Sequence, residues 1–291
     1  MAAFLFTGVL GYAVWRGSIK PHATAEVQKV ACAMIDKDFY TGLKQHSSSI
    51  GYFTVGGGGH QTLFLGDSNM EQYMPRIAYL MKDNHRDSRG AIFVTCGGMP
   101  PIPGYEANGI PKGRQLIPLF EEQIAKDQRI DRVVIAALWP LYFKNNNNPN
   151  TMAGVPMTEG SAQENALRSL GELIGRNIAH GKKVTVVLGI PTGSELDPRF
   201  AIERSFLGIS CMKPAVLSKE AFQKATLSIM GKIKTIALAH GADVIDPVDF
   251  LADGRGCLFE NEEGPIRYNG SHLRPGYVRK YLKYLDDTIA P

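Results

Sequence analysis

Short apolar runs recur along the chain, over residues 62–65, 91–95, 132–138, 183–188 and 243–245. The runs are continuous and rich in β-branched residues, without the regular polar positions of a half-exposed strand. This pattern is typical of strands covered on both faces. Helical patterns separate the runs, at 71–84, 159–180 and 218–240. Because strands and helices alternate, the sequence predicts an α/β domain with a parallel sheet and right-handed crossovers.

The chain before the first run is less regular. Residues 21–61 are mixed in composition and contain four consecutive glycines at 56–59, which indicate a loop or a tight turn. We therefore divide the chain into an apolar segment at 1–20, a linker and N-terminal extension at 21–61, and the main domain at 62–291.

The uncharged apolar stretch at residues 2–15 is too short to cross about 30 Å of hydrocarbon comfortably. No basic residue precedes it, so the pattern of a signal peptide is incomplete. Arg16 and Lys20 follow it, which favours a cytoplasmic location for the rest of the chain if the stretch spans a membrane alone. From the residues alone, the stretch fits either a signal sequence or the end of a membrane helix.

The composition excludes some classes of protein. With 291 residues, 44 % of them hydrophobic and 21 % charged, the chain is long enough to bury a full core. The net charge is only +4 and the basic residues are scattered, so nucleic acid is not expected as a partner. The four cysteines have no C-x-x-C spacing, which argues against structural zinc and permits disulfides without requiring them.

Ser68 stands in Gly66-Asp67-Ser68, where the first predicted strand turns into a helix. Ligands of open α/β sheets bind outside the carboxyl ends of the strands, so the Ser68 hydroxyl can face a crevice. Its amide N–H lies near the positive end of the helix, where it can stabilise an oxyanion. The alternative is structural: Ser68 or Asp67 caps the helix, and Glu71 completes a capping box.

His272 is the candidate base for a serine nucleophile, since such a base need be close only in space. It lies in the turn-rich stretch RYNGSHLRPGY, before a final helical pattern that begins near Pro275. The alternative is an idle surface imidazole, because loops hold many such residues.

Taken together, Gly66-Asp67-Ser68, Gly97 after the second run and His272-Leu273 near the end resemble the SGNH/GDSL hydrolase family. More narrowly, VVIAALWPLY and PIRYNGSHLRPGY resemble the C-terminal SGNH domain that is fused to membrane O-acyltransferases, which acetylate bacterial surface polysaccharides. The resemblance covers roughly residues 63–285. It implies a three-layer α/β/α, flavodoxin-like fold with a parallel sheet of about five strands.

The resemblance also implies roles for individual residues. Ser68 would attack an acyl carbonyl, His272 would take its proton and Asn269 would stand behind the imidazole. The amides of Ser68 and Gly97 would form the oxyanion hole. We predict substrate contacts for Asn69 and, as an aromatic platform for a sugar ring, for Trp139 and Tyr142. Packing under a loop is the alternative for these two aromatic residues, and no metal or cofactor is needed for such acyl transfer.

For the whole protein, the resemblance implies O-acetyl transfer to a hydroxyl of a cell-surface polysaccharide such as lipopolysaccharide. The acyl donor would be delivered by a membrane acyltransferase domain, and residues 2–15 would be the tail of its last membrane helix. We therefore expect an extracytoplasmic, membrane-associated domain on the periplasmic face. Two alternatives use the same residues: a carbohydrate O-acetyl esterase, and a weakened module that only binds glycan.

Two departures from the family pattern bear on these alternatives. Asn269 stands where the family usually has an aspartate, and an amide can orient the imidazole but supplies no charge. By analogy with the same change in a serine protease triad, the rate could fall by as much as about 10⁴-fold. Asp246 is a candidate substitute carboxylate, or a residue that shapes the turn before Pro247. Leu138-Trp139-Pro140 stands where the broader class places an asparagine, which removes one oxyanion donor.

Overall fold

The fold is described from a computed structural model that covers residues 24–46, 52–83, 89–110, 127–143, 150–205, 208–212 and 214–290. The apolar stretch at 2–15 and the asparagine-rich sequence at 144–149 lie outside these residues.

A seven-stranded sheet forms the centre of the described chain. Its strands are β1 (Lys44–His46), β2 (Tyr52–Gly56), β3 (His60–Gly66), β4 (Arg89–Thr95), β5 (Ile130–Ala136), β6 (Lys183–Val187) and β7 (Asp243–Ile245). Their spatial order is β1-β2-β4-β3-β5-β6-β7. Strands β3 to β7 are parallel, as the apolar runs predict.

The sheet has two more strands than the five predicted. β2 pairs antiparallel with β4, and β1 pairs antiparallel with β2 at the edge. Both belong to the part of the chain that we interpreted as a linker and extension. The pattern missed them because β1 is short and polar, and because β2, although apolar, runs directly into the four glycines that we interpreted as a loop or a tight turn. The boundary drawn at residue 62 is therefore not an edge of the sheet.

Helices cover both faces of the sheet. They are α1 (Ala25–Ile35), α2 (Ser68–Glu71), α3 (Met74–Asp83), α4 (Trp139–Tyr142), α5 (Gly160–Ala179), α6 (Lys219–Ala239), α7 (Val248–Leu251) and α8 (Pro275–Tyr281), with 3₁₀ turns at Ser194–Leu196, Pro198–Ala201 and Asp286–Ile289. Residues of α5 and α6 share one core cluster with the sheet, and residues of α3 and α8 share the other. The prediction of a three-layer α/β/α domain is thus confirmed.

The central strand β3 shows why the apolar runs are continuous. Leu63 and Leu65 point into the core beneath α5 and α6, whereas Phe64 between them points into the core beneath α3 and α8. All three side chains are at most 1 % exposed. Each face of the central part of this strand therefore needs apolar side chains.

Several short ladders lie outside the central sheet. They are Tyr105–Glu106 with Thr151–Met152 and Val155–Pro156, Ile202–Ser205 with Gly208–Cys211, Ala252–Asp253 with Gly256–Cys257, Glu260–Asn261 with Gly264–Pro265, and Arg267–Asn269 with His272–Leu273. We call the last pair the histidine hairpin. Among the helices of the described residues, none combines the length and apolar composition needed to cross a membrane.

Candidate active site

Residues 66–68, which we call the serine turn, leave the sheet at the carboxyl end of β3. Gly66 permits this exit because a Cβ atom there would lie 1.9 Å from the carbonyl oxygen of Ala136 on β5. Only a glycine lets the two backbones approach so closely. Asp67 then caps α2 by accepting a hydrogen bond from the Asn69 N–H, and Ser68 becomes the first helical residue.

Asp67 also fastens the serine turn to the segment after β5. Its Oδ2 accepts the Leu138 N–H at 2.9 Å and the Tyr142 hydroxyl at 2.6 Å, while its Oδ1 accepts the Asn69 N–H at 2.7 Å. The side chain is 1 % exposed. Burial raises the pKa of Asp67 to about 6, and the hydrogen bonds that it accepts limit the rise.

The histidine hairpin is held against α2 by a buried glutamine. Gln72 is fully buried, its Oε1 accepts the Leu273 N–H at 2.9 Å, and its Nε2 donates to the backbone oxygen of Asn69 at 3.0 Å. These bonds join the element that carries Ser68 to the strand that carries His272. The side chain of Gln72 therefore fixes the distance between two regions that are far apart in sequence.

Ser68, His272 and Asn269 meet at this junction. His272 Nε2 lies 2.8 Å from Ser68 Oγ, and its Nδ1 lies 3.1 Å from Asn269 Oδ1. The same Oδ1 accepts the Ser271 N–H at 3.0 Å, which orients the amide with its oxygen toward the imidazole. Ser271 Oγ also lies 3.0 Å from Nδ1. With a proton on Nδ1, both oxygens can accept it, and Nε2 is left as the acceptor for the serine hydroxyl.

The environment makes His272 a weak base. Burial is the cause that lowers its pKa from 6.5 to about 4, because desolvation disfavours the imidazolium. The Tyr268 ring stacks on the imidazole, with ring centroids 5.4 Å apart and planes inclined by 26°. The imidazole is thus held in place and uncharged above about pH 4.

The loop after β4 lies beside the serine turn because the Cys96 N–H donates to the Gly66 carbonyl at 3.1 Å. A turn closed by Met99 N–H to Cys96 O follows, and Gly98 has φ +79°, which a type II turn requires at its third position. Within the described residues, no acceptor is found for the amides of Ser68 and Gly97. Both donors therefore remain available for a ligand oxygen.

The sugar platform predicted at Trp139 and Tyr142 is wrong. Their exposed fractions are 0 % and 1 %, so neither ring can stack on a bound molecule. The Trp139 indole N–H donates to the Val187 carbonyl at 2.9 Å, and the Tyr142 hydroxyl bonds Asp67. Residues three apart share one face of a helix, and here that face of α4 points into the core. Packing under a loop, the alternative reading, is correct.

Asp246 and Glu71 make hydrogen bonds that stabilise the fold, and Asn69 is buried. Asp246 Oδ1 accepts the Val248 N–H at 3.0 Å, so it shapes the turn rather than supporting His272. Glu71 does not complete a capping box; its carboxylate instead accepts hydrogen bonds from the Thr95 and Tyr40 hydroxyls. Asn69 is 3 % exposed, and its Nδ2 has no hydrogen-bond partner within the described residues. Its role in substrate binding stays a prediction.

The sequence reasoning did not identify Gln72 and Tyr268, and it considered Asp67 only as a helix cap. Gln72 follows Ser68 by four residues, so helix spacing could have placed it near the serine, but its partner Leu273 is 201 residues away. Tyr268 is four residues before His272 and carried no separate signal.

Among the residues that the structure describes, no cluster of three or more His, Cys, Asp or Glu side chains could hold a metal ion. All four cysteines are free thiols in this structure, including Cys211 and Cys257.

A family model described as an SGNH domain fused to AT3 domains matches residues 32–281. None of the curated proteins matches the chain. Among solved structures, the periplasmic domain of the lipopolysaccharide acetyltransferase of Salmonella ser. Paratyphi A is similar, with a TM-score of 0.55 and 15 % identity over 80 % of this chain and 84 % of that one. This likeness shows a shared fold.

Two further solved structures align more loosely. A GDSL-like lipase of Bacteroides thetaiotaomicron has a TM-score of 0.45 and 13 % identity over 80 % of this chain and 90 % of its own. A variant of an acetyl-xylooligosaccharide esterase of Geobacillus has a TM-score of 0.45 and 12 % identity over 80 % of this chain and 95 % of its own.

Proposed function

The chain belongs to the family of SGNH domains fused to AT3 domains, and from this premise we propose that it is a serine-dependent O-acyltransferase. The observation that carries the proposal is the 2.8 Å separation of Ser68 Oγ and His272 Nε2. A hydroxyl and a neutral imidazole at this distance are the arrangement needed for a serine nucleophile and its base.

In the first half of the proposed reaction, Ser68 Oγ attacks the carbonyl carbon of the acyl donor as its proton moves to His272 Nε2. The developing oxyanion accepts hydrogen bonds from the amides of Ser68 and Gly97. The intermediate collapses, the leaving oxygen takes the proton from His272, and the acyl group stays on Ser68.

In the second half, a hydroxyl of the acceptor gives its proton to His272 Nε2 and attacks the acyl-serine. Collapse transfers the acyl group to the acceptor and returns the proton to Ser68 Oγ. Asn269 keeps the imidazole in the required tautomer, but it adds no charge to stabilise the imidazolium. The burial that lowers the pKa of His272 to about 4 acts in the same direction, and both features predict slow chemistry.

We propose acetyl as the acyl group and a cell-surface polysaccharide as the acceptor. Fusion of this domain family to AT3 domains supports delivery of the donor by a membrane acyltransferase domain, and the likeness to a periplasmic acetyltransferase domain supports an extracytoplasmic site.

The test combines acyl-enzyme formation with product analysis. The wild-type chain is incubated with p-nitrophenyl acetate, with and without a bacterial surface polysaccharide, and Ser68→Ala serves as control. We expect acetylated polysaccharide from the wild type and a loss of at least about 10³-fold in Ser68→Ala, because the nucleophile is gone.

Two results would replace the proposal. Release of acetate without any acetylated acceptor would identify a carbohydrate O-acetyl esterase. Failure of a serine-directed phosphonate to label Ser68, even at alkaline pH, would indicate a module that binds glycan without catalysis.

A further inference from the structure

A closed circuit of contacts connects Ser68 and His272 to the segment between α1 and β1. His272 bonds Ser68 and stacks on Tyr268, and Tyr268 meets the Phe39 ring edge-on at 5.6 Å. Phe39 contacts the neighbouring Tyr40 ring at 6.5 Å. The circuit closes through a carboxylate on the serine helix, so its members in order are Ser68, His272, Tyr268, Phe39, Tyr40 and Glu71.

Glu71 ties Tyr40 to the helix that carries the nucleophile. The Tyr40 hydroxyl donates to Glu71 Oε2 at 3.1 Å, and the Thr95 hydroxyl donates to Oε1 at 2.9 Å. Ser68 and Glu71 are three residues apart in α2, and such residues share one helix face. Burial of the carboxyl raises the pKa of Glu71, and the two donated hydrogen bonds hold its orientation.

Tyr40 presents a fixed aromatic surface at this place. Phe53 of β2 stacks on one face of its ring, with centroids 4.8 Å apart and planes inclined by 18°. The residue is nevertheless 44 % exposed, so part of it remains open to solvent. A ring stacked on one side and hydrogen-bonded at its hydroxyl loses little further freedom when a ligand covers the other side.

We infer that Tyr40 is the platform on which a pyranose ring of the carbohydrate substrate lies while one of its oxygens reaches Ser68. The inference rests on the proposed function and adds the subsite that would hold the sugar. An aromatic face provides apolar contact for the C–H face of a sugar, and its polar edge leaves the hydroxyls solvated. Tyr40 thus takes the role that the buried Trp139 and Tyr142 do not fulfil.

The experiment measures binding separately from chemistry. The Ser68→Ala chain, which cannot be acylated, is titrated by NMR with mono-O-acetylated cellotriose, and Tyr40→Ala and Tyr40→Phe are introduced into the same background. We expect Tyr40→Ala to raise the Kd by about 10-fold, the size of an aromatic contact. Tyr40→Phe keeps the ring and loses only the bond to Glu71, so its Kd should stay within about threefold.

Tyr79→Ala is the matched control. Tyr79 is 42 % exposed, close to the value for Tyr40, but it lies on α3 and contacts no member of the circuit in the described structure. Its removal should leave the Kd unchanged. The inference is overturned if the trisaccharide does not bind, if Tyr40→Ala leaves the Kd within twofold, or if Tyr79→Ala weakens binding equally. Phosphonate labelling of Ser68 in the wild-type background reports on the proposed function, so the two failures are distinguishable.

Discussion

The serine turn and the histidine hairpin are each held in place by one buried charged side chain, and the two charges have opposite signs. Beside Ser68 lies Asp67, which is 1 % exposed and accepts three hydrogen bonds from neutral donors. Five residues before His272 lies Arg267, which is fully buried and donates to the backbone oxygens of Leu258 at 2.6 Å and Pro191 at 3.0 Å. Neither residue has an ion-pair partner in the part of the chain that the structure describes.

Each loop owes its rigidity to the groups that its buried charge contacts. A buried charge is costly unless dipoles surround it, and each charge here therefore fixes the backbone groups that satisfy it. Asp67 holds the turn to the segment after β5, whereas Arg267 holds the hairpin to the loops after β6 and α7. Burial lowers the pKa of Arg267 to about 10, so it remains charged at neutral pH.

Removing the charge from the hairpin should have the largest effect. Arg267→Met leaves the Leu258 and Pro191 carbonyls buried without donors, and we expect the free energy of unfolding to fall by about 4 kcal/mol. Chemical denaturation measures the loss. The control is Arg255→Met, whose side chain is 88 % exposed in its pair with Asp253 and should change stability little. Equal losses in the two variants would contradict the comparison.

Removing the charge from the serine turn should cost less. Asp67→Asn retains one acceptor oxygen where the carboxylate uses two, so some of the three donors lose their partner. We expect stability to fall by about 3 kcal/mol. Phosphonate labelling of Ser68 should slow as its amide shifts. Asp246→Asn is the control, because its one remaining oxygen suffices to accept the Val248 N–H. If Asp246→Asn lowered the free energy of unfolding as much as Asp67→Asn does, the comparison would be contradicted.

Adding a carboxylate to the histidine hairpin should change the basicity of His272. Asn269→Asp places a carboxylate beside His272 Nδ1, so it should raise the pKa of His272. We expect Ser68 labelling at pH 7 to become about 10-fold faster, which recovers part of the rate that a serine protease triad loses when its aspartate is changed to asparagine. Labelling requires neutral His272, so in the wild type protonation of His272 removes it as the pH falls through about 4. In the variant this loss should begin at a higher pH.

Comparing the two chains across pH separates this limb from the titration of Asp67, whose pKa burial raises to about 6 in the wild type. If the acid limb of the labelling profile does not move in Asn269→Asp, then His272 is not the group that sets it.

The smallest loss of stability is expected when a single hydrogen bond to Asp67 is removed. Tyr142→Phe removes one of the three donors to Asp67, and we expect a loss of about 1 kcal/mol together with a higher pKa for Asp67. Tyr284→Phe is the control, because the Tyr284 hydroxyl donates to the neutral hydroxyl of Tyr73 and a neutral acceptor forms the weaker bond. Carboxyl NMR would detect the pKa change, and an unchanged Asp67 pKa would contradict the prediction.

The sequence predicted the parallel core because burial on both faces leaves a local signature in each strand. It could not predict β1 and β2, whose places depend on antiparallel pairing: β2 pairs with β4, and β1 pairs with β2 at the edge. The orientation of α4 was also beyond reach. A single helical turn with Trp139 and Tyr142 on one face gives no indication whether that face points outward or inward.

The two central residues of the site were predictable from the sequence, whereas the residues that position them were not. Short motifs and their family resemblance indicated Ser68 and His272, which the fold brings within hydrogen-bonding distance. The bonds that Gln72 forms with Leu273 and Arg267 with Pro191 were not predictable, because each joins a side chain to a backbone group distant in sequence. The position of Tyr40 likewise follows from tertiary packing on Phe53, not from any local pattern.

The hydrogen bond between Ser68 and His272 joins residues 204 positions apart. Ribosomes add about 5–20 residues per second, so the serine emerges roughly 10–40 s before its histidine partner. During that interval the Ser68 hydroxyl lacks the imidazole that lies 2.8 Å from it in the folded domain. The pairing of the two side chains therefore depends on translation of the segment that carries His272, and it cannot form while the first strands of the sheet are the only part of the domain outside the ribosome.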